Sequence, residues 1–145
     1  LVGSEMCIRD RSIMAMAKIM SHSGMITEIA GMMVALTGSY YPAAAPFVGA
    51  IGTFVTGSGT SANVLFGGLQ VETAGSLGLD PSWLAGANTV GATIGKMISP
   101  QSIAIGTAAT ASVGSESKIL RTVIKYCVLF IIIAGLVAYA GSRFA

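Results

Sequence analysis

Two stretches hold most of the side chains that could do chemistry in an otherwise apolar chain. Residues 56–63 read TGSGTSAN, and residues 86–102 read GANTVGATIGKMISPQS. What they offer is hydrogen-bond donors. Asn63, Asn88 and Gln101 carry amide N–H groups, Ser61, Thr89, Ser99 and Ser102 carry hydroxyls, and Lys96 carries an ammonium. The glycines between them let backbone approach a ligand closely. Such a set suits the holding of a small anion. Burying an unpaired carboxylate costs several kcal/mol or more. A helix N-terminus exposed at a break supplies free N–H groups and the positive end of a dipole. Lys96 is the only cation between Lys18 and Lys118, which makes it the natural charge partner. Plainer uses compete: hydroxyls in apolar helices often bond to their own backbone, amides cap half-helices, and a lysine can snorkel to an interface.

The elements that must position these groups lie in an apolar setting. Charged residues make up 10% of the 145-residue chain, against roughly 25% in typical globular proteins. Mean hydropathy is +0.77. No charged residue stands between Glu28 and Glu72, a run far longer than the ~20 residues one membrane span needs. The composition predicts an all-α integral membrane protein, a polytopic bundle with interrupted or re-entrant segments. The net charge of +2 gives no nucleic-acid footprint. Cys7 and Cys127 form no disulfide or metal-ligand pattern.

Residues 1–12 (LVGSEMCIRDRS) are polar and mixed in charge, and resemble a translated adapter sequence more than a folded segment; they are expected to be a non-native tail. Residues 13–23 read as the end of a helix, and residues 25–36 as a short helix closed by Gly38. Tyr40 and Tyr41 suit a membrane interface, with Pro42 opening the next segment. Residues 42–70 are apolar but punctuated, and predict one broken helix or the two arms of a re-entrant hairpin. Residues 71–82 read as a polar connection. Asp80-Pro81-Ser82-Trp83 reads as a helix start. An arm over 83–98 breaks at Ser99-Pro100 and resumes over 101–113. Residues 114–118 read as an aqueous loop, and residues 119–142 as an ordinary transmembrane helix. Arg121 and Lys125 flank one of its ends and Arg143 the other, so charge does not orient it. Paired interrupted segments are the sequence signature of a transporter binding site.

Three patterns imitate other chemistry. Residues 57–62 (GSGTSA) fit the dinucleotide fingerprint, with Asp80 at a suitable distance, but the strand that should carry that acid has no room before Pro81. Residues 91–97 (GATIGKM) resemble a phosphate loop that is one residue short, with Met97 where Ser or Thr should bind magnesium. His22 has no partner at triad or metal-ligand spacing. The chain reads as no enzyme, with no catalytic residues, cofactor or metal.

Four blocks are similar to the L-lactate permease family: SGM at 23–25, GTFVTGSGTSANVLFGGLQ at 52–70, ANTVGATIGKMISPQSIAIGTAA at 87–109 and IKYCVLF at 124–130. Their order and spacing match too, and the resemblance runs from about residue 13 to the end. It implies a secondary transporter of the bacterial inner membrane that takes up L-lactate and related 2-hydroxy monocarboxylates with protons. This chain would be its C-terminal part, with the N-terminal remainder, the lipid bilayer and the carboxylate as partners. Two departures stand out. The family pattern has an acid where Gly59 stands, and Asn-Thr-Thr-Gly-Gly where this chain has Asn88-Thr89-Val90-Gly91-Ala92. If that acid carries the coupling proton, Glu28, His22, Glu72 or the substrate itself must do so here. Two other readings are a permease for a different organic anion and a non-transporting membrane scaffold.

Overall fold

The glycine and proline punctuation divides the described residues into seven α-helices. A computed structural model describes the backbone of residues 2–110 and 114–144, and the side chains of these except at 2–7, 9, 10 and 21. The helices are α1 (Val2–His22), α2 (Met25–Thr37), α3 (Tyr41–Thr56), α4 (Gly59–Leu77), α5 (Pro81–Lys96), α6 (Pro100–Ala109) and α7 (Glu116–Gly141). No strand occurs among the described residues, so the fold is all-α. The helix α1 runs without interruption through residues 2–12.

Glycines with positive φ close α2, α3 and α4 at Gly38, Gly57 and Gly78. Asp80 caps α5, its carboxylate accepting from Ser82 N at 3.0 Å. Pro81 and Pro100 occupy the first turns of α5 and α6, where a missing N–H costs nothing. Two expectations are corrected. The stretch over 71–82 is mostly helix, because α4 continues to Leu77, with Thr73 and Ala74 buried in the packing while Glu72 faces outward. Of the loop expected over 114–118, residues 116–118 belong to α7. Glu116 lies in its first turn and accepts from Gly114 N at 3.1 Å. Residues 111–113, the end of the arm expected over 101–113, lie outside the described residues.

The helices α3 and α4 form an antiparallel hairpin. Gly52 faces Ala62 and Phe66, and Tyr41 at the other end bonds to Gln70. By contrast α5 runs parallel to α3. Gly91 lies on the carbonyl of Pro46, Gly95 on Ala50, and Gly49 on Asn88, all backbone to backbone. Small residues let two helices approach this closely, as in membrane helix pairs. The 26-residue α7 returns antiparallel along α5 and α6. Trp83 Nε1 donates to Ala138 O at 2.9 Å at one end, and Thr107 Oγ1 donates to Glu116 Oε1 at 3.2 Å at the other. The core is Tyr41, Ala45, Ala74, Leu84, Ala87 and Ala138. Among the described residues α7 alone is long and apolar enough to cross a membrane, unless the bent pair on either side of residues 21–24 counts as a second span. It leaves Val128, Leu129, Ile132, Ile133, Leu136 and Val137 exposed.

Candidate functional site

Parallel packing of α3 on α5 sets the two helix breaks side by side. The hairpin turns at residues 57–58 and α5 gives way at residues 97–99, and the two meet where Gly57 lies against the side-chain oxygen of Gln101. A cleft of about 200 Å³ opens there, lined by Phe54, Val55, Thr56 and Gly57 on one side and Ser99, Pro100 and Gln101 on the other. The N-termini of α4 and α6 both start at this level.

Each end leaves donors open. Ser58 Oγ accepts from Ser61 N at 3.3 Å, and Ser58 O accepts from Ala62 N at 2.9 Å. The N–H groups of Gly59 and Thr60, between them, have no partner among the described residues. On α6, Ser99 O accepts from Ile103 N at 3.1 Å and leaves Ser102 N open. The Ser99 hydroxyl caps nothing: it is fully buried and has no partner among the described residues, and the same holds for the Thr53 hydroxyl. Thr53 lies on α3 one turn before Gly57 and one turn after Gly49. Buried hydroxyls left unpaired are uncommon and call for an explanation such as a bound group. Thr56 secures the tip, donating to Gly52 O at 2.8 Å while its oxygen accepts from Ser58 N at 3.3 Å.

Beneath the breaks, polar side chains form a buried ladder across α3, α4 and α5. Tyr41 O–H donates to Gln70 Oε1 at 3.0 Å. Gln70 Nε2 donates to Asn88 Oδ1 at 3.1 Å. Asn88 Nδ2 donates to Asn63 Oδ1 at 2.9 Å. Tyr41, Gln70 and Asn88 are at most 1% exposed.

The eight residues singled out in the sequence therefore divide. Ser99, Gln101 and Ser102 stand at the α6 break, and Ser61 is buried in the first turn of α4. Asn63 and Asn88 touch each other in the ladder. Thr89 is exposed and spends its hydroxyl on Ala85 O at 2.9 Å, so it joins neither group. Lys96, in the last turn of α5, is exposed, and its ammonium has no ion-pair or hydrogen-bond partner among the described residues. Sequence reasoning missed Tyr41, Gln70 and Thr53. For Gln70 a signal existed, a lone amide in an apolar helix, which in lipid needs a partner. Gly59 has nothing within 4 Å of where a Cβ would stand, so the break has room for a longer side chain there.

The L-lactate permease family model matches residues 6–143. The glycolate permease of Escherichia coli (strain K12) is 44% identical over 125 residues, which is 86% of this chain and 22% of that protein. The L-lactate permease of Bacillus subtilis (strain 168) is 44% identical over 128 residues, 88% of this chain and 23% of that protein. The L-lactate permease of Streptococcus iniae is 58% identical over 74 residues, 51% of this chain and 16% of that protein. No solved structure matches. An all-α chain with paired breaks is thus placed among permeases. It belongs to the L-lactate permease family, and it spans between a fifth and a quarter of the length of the first two relatives.

Proposed function

We propose that this chain is the C-terminal portion of a proton-coupled carrier for L-lactate or related 2-hydroxy monocarboxylates in the bacterial inner membrane. The α3–α4 hairpin would enter the bilayer and turn back at residues 57–58, while α5 and α6 form one broken span alongside α7. The substrate carboxylate would sit in the cleft between the breaks. The observation that carries this reading is the meeting of two helix N-termini, with open N–H groups on Gly59, Thr60 and Ser102, at a buried and unpaired Ser99 hydroxyl. An anion receives there the donors and dipole ends it would otherwise lose with its water. Lys96, one residue before the break, would supply the balancing charge once the rest of the transporter covers it.

The substrate is proposed as a class because glycolate and lactate permeases are equally similar, at 44% each. Proton coupling comes from the family resemblance, and Gly59 removes one route for it. Reconstituting the full-length transporter in proteoliposomes tests the reading. Labelled lactate or glycolate should accumulate inside when the exterior is made acidic, and collapsing the pH gradient should abolish the accumulation. Equal uptake into protein-free vesicles rejects it.

A further inference from the structure

Asn63 sits at the open end of a hydrogen-bonded row that begins 22 residues away in sequence, at Tyr41. A primary amide has a donor end and an acceptor end. In a buried row each amide must turn its acceptor toward the neighbour that donates, because an unpaired buried group costs about 1–3 kcal/mol. Tyr41 donates to Gln70, Gln70 donates to Asn88 and Asn88 donates to Asn63. The Oδ1 of Asn63 is then occupied, and its Nδ2 is left over, with no partner among the described residues. Thr73, the other hydroxyl against Tyr41, donates to Leu69 O at 2.7 Å, so a reversed row would need its oxygen to take the Tyr41 proton, an acceptor that Thr73→Val removes. Asn63 is half-buried and stands one turn along α4 from Gly59, on the same face, beside the open N-terminus.

The geometry points to Tyr41 and Gln70 as positioning residues that hold Asn63 with its N–H end free, as a donor to the substrate anion. This rests on the carboxylate reading of the break. Neither residue touches the cleft; each acts by fixing which end of an amide faces outward. A row running the other way would present a carbonyl oxygen, which repels a carboxylate.

The test is a double-mutant cycle in the full-length transporter, reading the KM for lactate in proteoliposomes and the thermal midpoint in detergent. Tyr41→Phe keeps the ring and removes the proton that orients the row. Asn63→Ala removes the donor itself. Each single variant is expected to raise KM roughly ten-fold, in the range of one hydrogen bond to a charged group, with the maximal rate within two-fold. The double variant should be no worse than Asn63→Ala alone, because Tyr41 acts only through Asn63. Thr73→Val should leave KM unchanged. Additive losses, an unchanged KM in either single variant, or a raised KM in Thr73→Val overturns the proposal. So does a loss in Tyr41→Phe that falls only on the maximal rate. If Tyr41→Phe fails to fold, Gln70→Met takes its place with the same expectations; failure of both to fold makes the row purely structural and overturns the positioning role. Absence of lactate uptake by the unmutated transporter is a separate failure, that of the carboxylate reading.

Discussion

Gly57 and Gln101 are in contact, the hairpin tip on one side and the first turn after the α5 break on the other. A Cβ on Gly57 would overlap the Gln101 side-chain oxygen, and Gly57 also holds a φ of 71°. The two breaks are therefore held at one depth by the absence of a side chain.

Replacing that glycine should loosen both constraints at once. Gly57→Ala is expected to cost roughly 1–2 kcal/mol for the left-handed backbone and more for the contact, lowering the thermal midpoint of the detergent-solubilised transporter and its lactate uptake. Adding Gln101→Ala removes the overlap but not the backbone cost, so it should restore stability only in part. Complete recovery would place the whole effect in the contact.

The seam between α3 and α5 separates two glycines that composition cannot tell apart. Gly91→Ala puts a methyl group on the Pro46 carbonyl, and backbone cannot move aside as a side chain can. A loss of about 1–3 kcal/mol is expected, the usual cost of overpacking. Gly86→Ala, on the same helix with open space around it, should be neutral or gain about 0.5–1 kcal/mol. Thermal unfolding of the two variants side by side checks the contrast.

Ser99→Ala should divide binding from stability. The hydroxyl has no partner to lose among the described residues, so the folded state should be as stable as before or slightly more so. If the proposed site holds the carboxylate, the KM for lactate should rise roughly ten-fold, since one donor is lost. An unchanged KM would remove Ser99 from the substrate's surroundings.

Lys96→Gln tests the proposed charge partner. The ammonium has no ion-pair partner among the described residues, so folding yield should be unaffected while the uptake rate at low lactate falls ten-fold or more. Uptake at the unmutated rate would leave Lys96 the simpler task of reaching the membrane interface.

Local punctuation was legible along the chain. Gly38 ends α2, Asp80-Pro81 starts α5, and Ser99-Pro100 starts α6 where the residues anticipate them. Caps and prolines act over one turn, so a reader of sequence sees all of their cause. Charge was a poorer guide. Glu72 and Glu116 suggested aqueous connections, yet both stand in helices, because an exposed carboxylate on one face does not stop a helix and one in a first turn favours it. The candidate site was half legible. Residue type picked out Asn63, Asn88 and Ser99, but also Thr89, whose hydroxyl is absorbed by its own helix.

By itself the sequence determined that this is an apolar, helical, twice-interrupted chain, that the side chains singled out at its breaks can each donate a hydrogen bond, and which family it resembles. Each of these depends on residue types and on neighbours within a few positions. Only the tertiary structure decided that α3 and α5 run parallel, that the two breaks therefore coincide, and that Tyr41, Gln70, Asn88 and Asn63 form one directed row. Those outcomes turn on which glycines meet which carbonyls across some 45 residues, as Gly91 meets Pro46. No local propensity encodes that meeting, because it is fixed when helices pack against one another.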